Sequence, residues 1–269
     1  MSQKKPYVFY VALIGACFLL LVAIIGPYMT SYDPTCVELS EKLLPASSVH
    51  WLGTDHMGRD VLARLIYGTR LSLSIAIVVT FINLLIGIPV GLIVGWFNRF
   101  LDKSFTWFSN LVMAFPPFLL SMAFAGILGQ GIINIIIAVS SVGWVNYSRV
   151  VRNMVLTVKD HEYVLSAKTM GASTGYILRK HIFPFVYKPI LIMALMNLGE
   201  IVLMISGFSF LGIGVQPNVA EWGMMLNDAK SYFRSIPGLA IYPGLAILFT
   251  VVIFNLLGEY FSNKEKIRL

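Results

Sequence analysis

Four residues in one short stretch, His50, Asp55, His56 and Asp60, carry side chains that bind divalent metals, since imidazole and carboxylate are common ligands. Their spacing fixes no coordination geometry. The Gly-Thr-Asp and Gly-Arg-Asp sequences around them read as turns leading into a short amphipathic helix. Scaffolding is the expected role, and no metal site is assigned. Glu200 is a second candidate, an ionisable residue inside an apolar run beside Asn197 and Met204. Charge in hydrocarbon is costly, so such a residue is by default a functional one. The competing reading is a protonated or paired carboxylate between helices. Met193, Met196 and Met204 would suit a soft metal, but methionine is an ordinary gap filler in packed cores. Catalytic signatures are missing: no GxxxxGK(S/T) phosphate loop, no GxSxG elbow, and no second histidine after His161-Glu162. The chain is read as non-catalytic.

The elements that must position these residues are membrane spans. Of 269 residues, 57% are hydrophobic and 12% charged, where a soluble domain carries about a quarter charged. This predicts an all-α polytopic membrane protein. Apolar runs of about spanning length fall at residues 7–29, 71–96, 105–128, 132–147, 189–212 and 240–261, which makes six expected transmembrane helices. The first run lacks a clear small-x-small cleavage site and is read as a retained span rather than a signal peptide. Gly87, Pro89, Gly91 and Gly95 predict that the second is a kinked helix packed closely on its neighbours. Pro116-Pro117 interrupts the third. Residues 98–104 read as a short basic turn and GILGQG, 126–131, as a glycine turn. Cys17 and Cys36 differ in depth, so neither a disulfide nor a metal pair is expected.

The net charge of +7 sits in short loops between apolar runs, where it sets topology rather than binding nucleic acid. With the N-terminus inside, fourteen of the lysines and arginines are cytoplasmic. Only six, Lys42, Arg59, Arg64, Arg70, Lys230 and Arg234, lie outside. The N-in, C-in arrangement is therefore expected, in a cell membrane. The chain divides into an N-terminal span and outer loop, 1–68, a membrane domain, 69–260, and a cytoplasmic tail, 261–269, containing Lys264, Lys266 and Arg268.

On the inner side lies a polar and apolar island, KDHEYVLSAKTMGASTGYILRKHIFP, residues 159–184. Asp160 can cap a helix and Glu162 suits its first turn. Tyr163, Val164, Ala167 and Met170 recur at helical spacing. Gly171 suits a left-handed C-cap, and Ser173 can cap a second short helix in which Ile177, Leu178 and Ile182 face one way. Pro184 is expected to end that helix. Ala167 and Gly171, four apart, would let another surface approach closely. An amphipathic loop lying on lipid headgroups is the alternative.

This island resembles the cytoplasmic coupling motif of ABC importer permeases, Glu-Ala-Ala, three residues, Gly, nine residues, Ile-x-Leu-Pro. Leu165, Ser166 and Ala167 stand at the triplet, Gly171 at the glycine, and Ile182 and Pro184 within the ending. The glutamate is absent. HWLGTDHMGRDVLARLIYGTRLSL, residues 50–73, is similar to a more specific signature of the peptide and nickel branch. FSFLGIG, 208–214, and EWGMMLND, 221–228, extend the likeness, which looks closest to the C-type permease of nickel importers.

The resemblance implies a type I ABC importer permease fold and alternating access. It implies a second homologous permease, two cytoplasmic ATP-binding subunits that use ATP and Mg, and an extracytoplasmic substrate-binding protein. This chain would bind no cofactor. Leu165, Ser166, Ala167, Gly171, Ile182 and Pro184 would couple to the ATPase, and Asn197, Glu200 and Met204 would line the path. Nickel or a metal chelate is the expected cargo, with di- or oligopeptides as the alternative. A secondary transporter, the rival class, would show inverted repeats with broken helices at matching positions. The sequence holds no convincing repeat.

Overall fold

The computed structural model of the chain describes residues 6–97 and 99–266. Lys4, Lys5 and Arg268 of the charge count, and Asn98 of the expected turn, lie outside those residues. The described residues are helical apart from loops and one isolated bridge between Thr54 and Asp60. Helix α1 spans Pro6–Met29, α2 Val61–Trp96, α3 Arg99–Met113, α4 Pro117–Leu128 and α5 Ile132–Val158. The short helices α6, Glu162–Thr169, and α7, Thr174–Ile177, precede α8, Phe183–Phe210, and then come α9, Trp222–Ala229, and α10, Gly238–Lys266.

Among the described residues, four segments are long and apolar enough to cross a membrane: Tyr7–Met29, Val61–Trp96, Thr174–Phe210 and Gly238–Lys264. Helices α3 and α4, bent by 83° at the Pro116-Pro117 break, make a fifth if the pair is one span. The sixth expected span, residues 132–147, lies inside α5. With 27 residues α5 is long enough, but Asn134, Ser140, Ser141 and Asn146 lower its hydropathy. The helix makes the most extensive helix contact of the bundle, with α2; of those four polar residues Ser140 is buried, whereas Ser141 and Asn146 stay exposed in the isolated chain.

Several expected boundaries move. Helix α2 starts at Val61 rather than at residue 71, because Asp60 caps it by accepting the Ala63 amide at 2.7 Å. The expected short helix and second span are thus one helix, which also runs through the 68/69 boundary. Helix α10 likewise passes 260/261. The expected basic turn at 98–104 is the start of α3, and its Asp102 pairs with Arg152 of α5.

Close helix packing comes from missing side chains. Gly87, Gly91 and Gly95 repeat every four residues on one face of α2. A Cβ at these positions would lie 2.6 Å from Tyr147 Cβ, 2.6 Å from the Ser148 carbonyl oxygen and 2.8 Å from Val155 Cβ. Lipid gives helices no hydrophobic reason to associate, so near contact of this kind supplies the attraction.

Two apolar clusters hold the bundle. One, around Val79, Ile205, Phe208 and Trp222, joins α1, α2, α8, α9 and α10. The other packs Val151, Val155 and Val158 of α5 against Val164, Ile177, Ile182 and Val186. This second cluster seats α6 and α7 on the membrane bundle.

Candidate translocation cavity and coupling surface

Asn197, Glu200 and Met204 lie on one face of α8, three and four residues apart, as helical spacing requires. All three line a cavity of about 100 Å³ between α2, α3, α4, α5 and α8, with Asn83, Ser121 and Tyr147 also on its wall. Asn197 donates its amide N–H to the Tyr147 hydroxyl at 3.1 Å. Asn83 lies against Gly143, where any side chain would collide with its amide. Glu200 is exposed in the isolated chain, inside the last third of the membrane-length segment Thr174–Phe210. A carboxylate there cannot face hydrocarbon cheaply, so this surface faces protein or water. No ion pair to Glu200 is formed among the described residues. Asn83 and Tyr147 went unnoticed in the sequence. Their signal was available, as polar side chains within runs of spanning length. Met193 and Met196 are not on this wall.

At the α6 end, the caps form much as local chemistry predicts. Gly171 has φ of +80°. Its amide bonds the Lys168 carbonyl at 3.1 Å and the Ala172 amide bonds that of Ala167 at 3.0 Å, the paired closure of a Schellman end. Ser173 accepts the Tyr176 amide at 3.3 Å and starts α7. The N-terminal cap differs: His161 holds that position with no side-chain bond, one residue past Asp160.

The faces of this element also differ from expectation. Val164 and Ala167 are buried in the chain's own core, while Tyr163 and Met170 are exposed. Tyr163 is rotated about 100° from Val164 on the helix, and Met170 lies at the C-cap, where the chain turns away. Ala167 and Gly171 therefore share no open face. Ile182 is also buried, whereas Leu165, Ser166, Gly171 and Pro184 are exposed. The open surface carries Tyr163 at 45%, Leu165 at 44%, Met170 at 81% and Tyr176 at 54% exposure.

Pro184 does not end the second helix. Leu178–Ile182 widens into a π turn, with the Phe183 amide reaching back to the Leu178 carbonyl. Proline lacks an N–H and crowds the preceding turn, and the wider turn removes that conflict. Residues Thr174–Phe210 thus form one membrane-length element. Its far end holds α9: Ser206 donates to Glu221 at 3.2 Å, and Asn227 donates to the Phe210 carbonyl at 2.7 Å. Glu221, fully buried, also accepts from Ser72 at 3.1 Å and caps α9 through the Met224 amide at 3.0 Å.

The candidate metal ligands of the loop are engaged with protein. Asp55 pairs with Arg59 at 2.7 Å and with Arg64, and Asp228 pairs with the same two arginines at 2.8 and 2.9 Å. His50 bridges Asp60 at 2.9 Å and Glu41 at 3.3 Å. Asp55, His56 and Asp228 do place ligand atoms within 4.8 Å of one another. Two guanidiniums already balance both carboxylates, so this donor set does not suit a resident cation. Burial raises the Asp55 pKa, but Arg64 and Arg59 outweigh it and hold the group below its ordinary value. Gly58, with φ of +77°, makes the turn and passes so close to the Glu38 carbonyl that no side chain fits.

Residues 87–266 match the family described as binding-protein-dependent transport system inner membrane component. The chain belongs to this family. The nickel transport system permease protein NikC of Escherichia coli (strain K12) is 36% identical over 248 residues, covering 92% of this chain and 90% of that protein. The dipeptide transport system permease protein DppC of Alkalihalophilus pseudofirmus is 34% identical over 95% of this chain and 84% of its own length. The glutathione transport system permease protein GsiD of Pectobacterium atrosepticum is 38% identical over 91% and 82%. Among solved structures, the inward-facing MetNI methionine ABC transporter matches with a TM-score of 0.56 at 18% identity, over 72% of this chain and 93% of that one. That similarity is one of fold. As an ABC importer permease of the peptide and nickel family, the chain is an inner membrane component.

Proposed function

We propose that this permease works beside a second homologous permease, two cytoplasmic subunits that hydrolyse ATP with Mg, and an external binding protein that delivers cargo. The N- and C-termini and residues 149–187 face the cytoplasm, on the motive of the lysine and arginine asymmetry. Residues 30–70 and 213–239 face outward. The exposed surface of α6 and α7 docks an ATPase. Leu165, Ser166 and Gly171 lie on that surface, and Ala167 and Ile182 fix it to the bundle.

The observation that carries this reading is the membrane-length element Thr174–Phe210. It starts at the docking surface, carries Asn197, Glu200 and Met204 along the cavity, and ends in hydrogen bonds to α9. Movement imposed at α7 by ATP binding would be felt at the cavity wall and at the outer helix together. Alternating access needs that linkage between the two sides of the membrane.

Nickel or a metal chelate is the proposed cargo, on the similarity to NikC across 92% of the chain. A di- or oligopeptide is the second reading, favoured by the equally extensive dipeptide and glutathione permease relatives. Reconstituted proteoliposomes holding the complete complex test the reading. Uptake should require ATP inside the cytoplasmic compartment and binding protein outside. Uptake by this permease alone, driven by an ion gradient, would instead make it a secondary transporter.

A further inference from the structure

The cavity carries a formal charge of one sign only. Among its lining residues Glu200 is the only acidic or basic one. Arg149 touches the wall through Met113 Sδ at 3.0 Å but is not itself on the lining. Asn83, only 2% exposed, is a lining residue too, and its buried amide oxygen has no donor among the described residues. A buried acceptor without a partner is a standing cost unless something enters to donate to it. The amide N–H of Asn197 is spent on Tyr147, which leaves the Asn197 carbonyl oxygen as a further acceptor. The space of about 100 Å³ is large enough for several waters.

We propose that Glu200, Asn83 and Asn197 form a binding station for a cation that donates hydrogen bonds. The waters bound to a metal dication meet that description, and so does the protonated amine of a peptide. A carboxylate supplies the charge, and the amide oxygens accept the donated protons. One carboxylate with neutral amide oxygens is a poor inner-sphere site for nickel, which favours imidazole ligands, so that metal would pass through with waters attached. An anion would meet Glu200 unscreened and be refused. This proposal rests on the reading that the cavity lies on the import route, and it adds the sign of the charge that the route accepts.

Equilibrium binding to the purified complete complex tests the station apart from transport. The probes are nickel chloride and radiolabelled glycyl-leucine, without nucleotide. One probe should bind to the wild type. Glu200→Gln should weaken that binding about tenfold or more, as loss of a close opposite charge does. Glu200→Asp should restore part of it, and Asn83→Leu should weaken it while Glu200 is intact. Co-purification of all subunits checks that each variant still assembles. Nickel bound and dipeptide ignored would identify aquated metal as the source of the cation; the opposite result would identify the amine. Binding unchanged in Glu200→Gln would overturn the proposal, as would failure of the wild type to bind either probe. ATP-driven uptake measured in parallel reports on the importer reading by itself.

Discussion

Arg59 and Asp228, 169 residues apart in sequence, meet at 2.8 Å and tie the loop between α1 and α2 to α9. Arg64 joins them from the first turn of α2 at 2.9 Å, and both guanidiniums also hold Asp55. Arg59 and Arg64 are each only 1% exposed. Removing one member of such a buried set leaves an uncompensated charge, which costs about 3–5 kcal/mol. Asp228→Asn should therefore lower the thermal unfolding temperature of the purified chain and expose residues 42–60 to protease. Wild-type protease resistance in Asp228→Asn would mean that the network does not hold the loop.

The same network sets a pH limit. The Asp55 pKa is depressed below the ordinary 3.8, so the folded state binds its proton less readily than the unfolded chain does. The stability it adds is complete above the ordinary value and is lost as pH falls through the lower folded value. Loop protection, followed by hydrogen exchange, should be flat at neutral pH and fail only below about pH 4. Loss of protection between pH 8 and 6 would point to a different group.

Two glycines separate packing from flexibility. A Cβ at Gly91 would meet the Ser148 carbonyl oxygen at 2.6 Å, whereas one at Gly126 would meet nothing within 4 Å. Backbone cannot yield as a side-chain tip can. Gly91→Ala should cost about 1–3 kcal/mol by overpacking the α2–α5 contact. Gly126→Ala, on α4, should be neutral or stabilise by up to about 1 kcal/mol. Thermal unfolding in one detergent compares them directly, and equal midpoints would contradict the packing account.

At Gly171 the expected penalty is conformational alone. Its φ is +80° and the space around a Cβ is open, so bulk there does not press on Ala167. Gly171→Val should store about 1–3 kcal/mol of local strain, while Gly171→Asn, which tolerates this region, should be mild. Membrane levels should stay normal in both. ATPase co-purification should weaken in the valine variant and recover in the asparagine one.

What could be read in the sequence was what is local. Gly171 and Ser173 announce their caps by residue type, and Asn197, Glu200 and Met204 share a face by spacing alone. The glycines of α2 announced a close contact without naming α5 as the partner. Pro184 misled, because a π turn can absorb a proline and nothing in the residues around it signals that geometry. The Arg59–Asp228 pair was hidden by its separation along the chain. Asn83 stood in view, but only the folded bundle brings it to the same cavity as Glu200.

The central claim is that α6 and α7 face the cytoplasm and receive an ATPase. With Cys17 and Cys36 replaced by serine, a single cysteine at Met170 should resist a membrane-impermeant maleimide in intact cells and react after permeabilisation. In the purified complex the same cysteine should cross-link to the ATP-binding subunit, while one at Val37, exposed on the outer loop, should label from outside and form no such cross-link. Labelling of position 170 from outside, or an ATPase cross-link from position 37, would contradict the account.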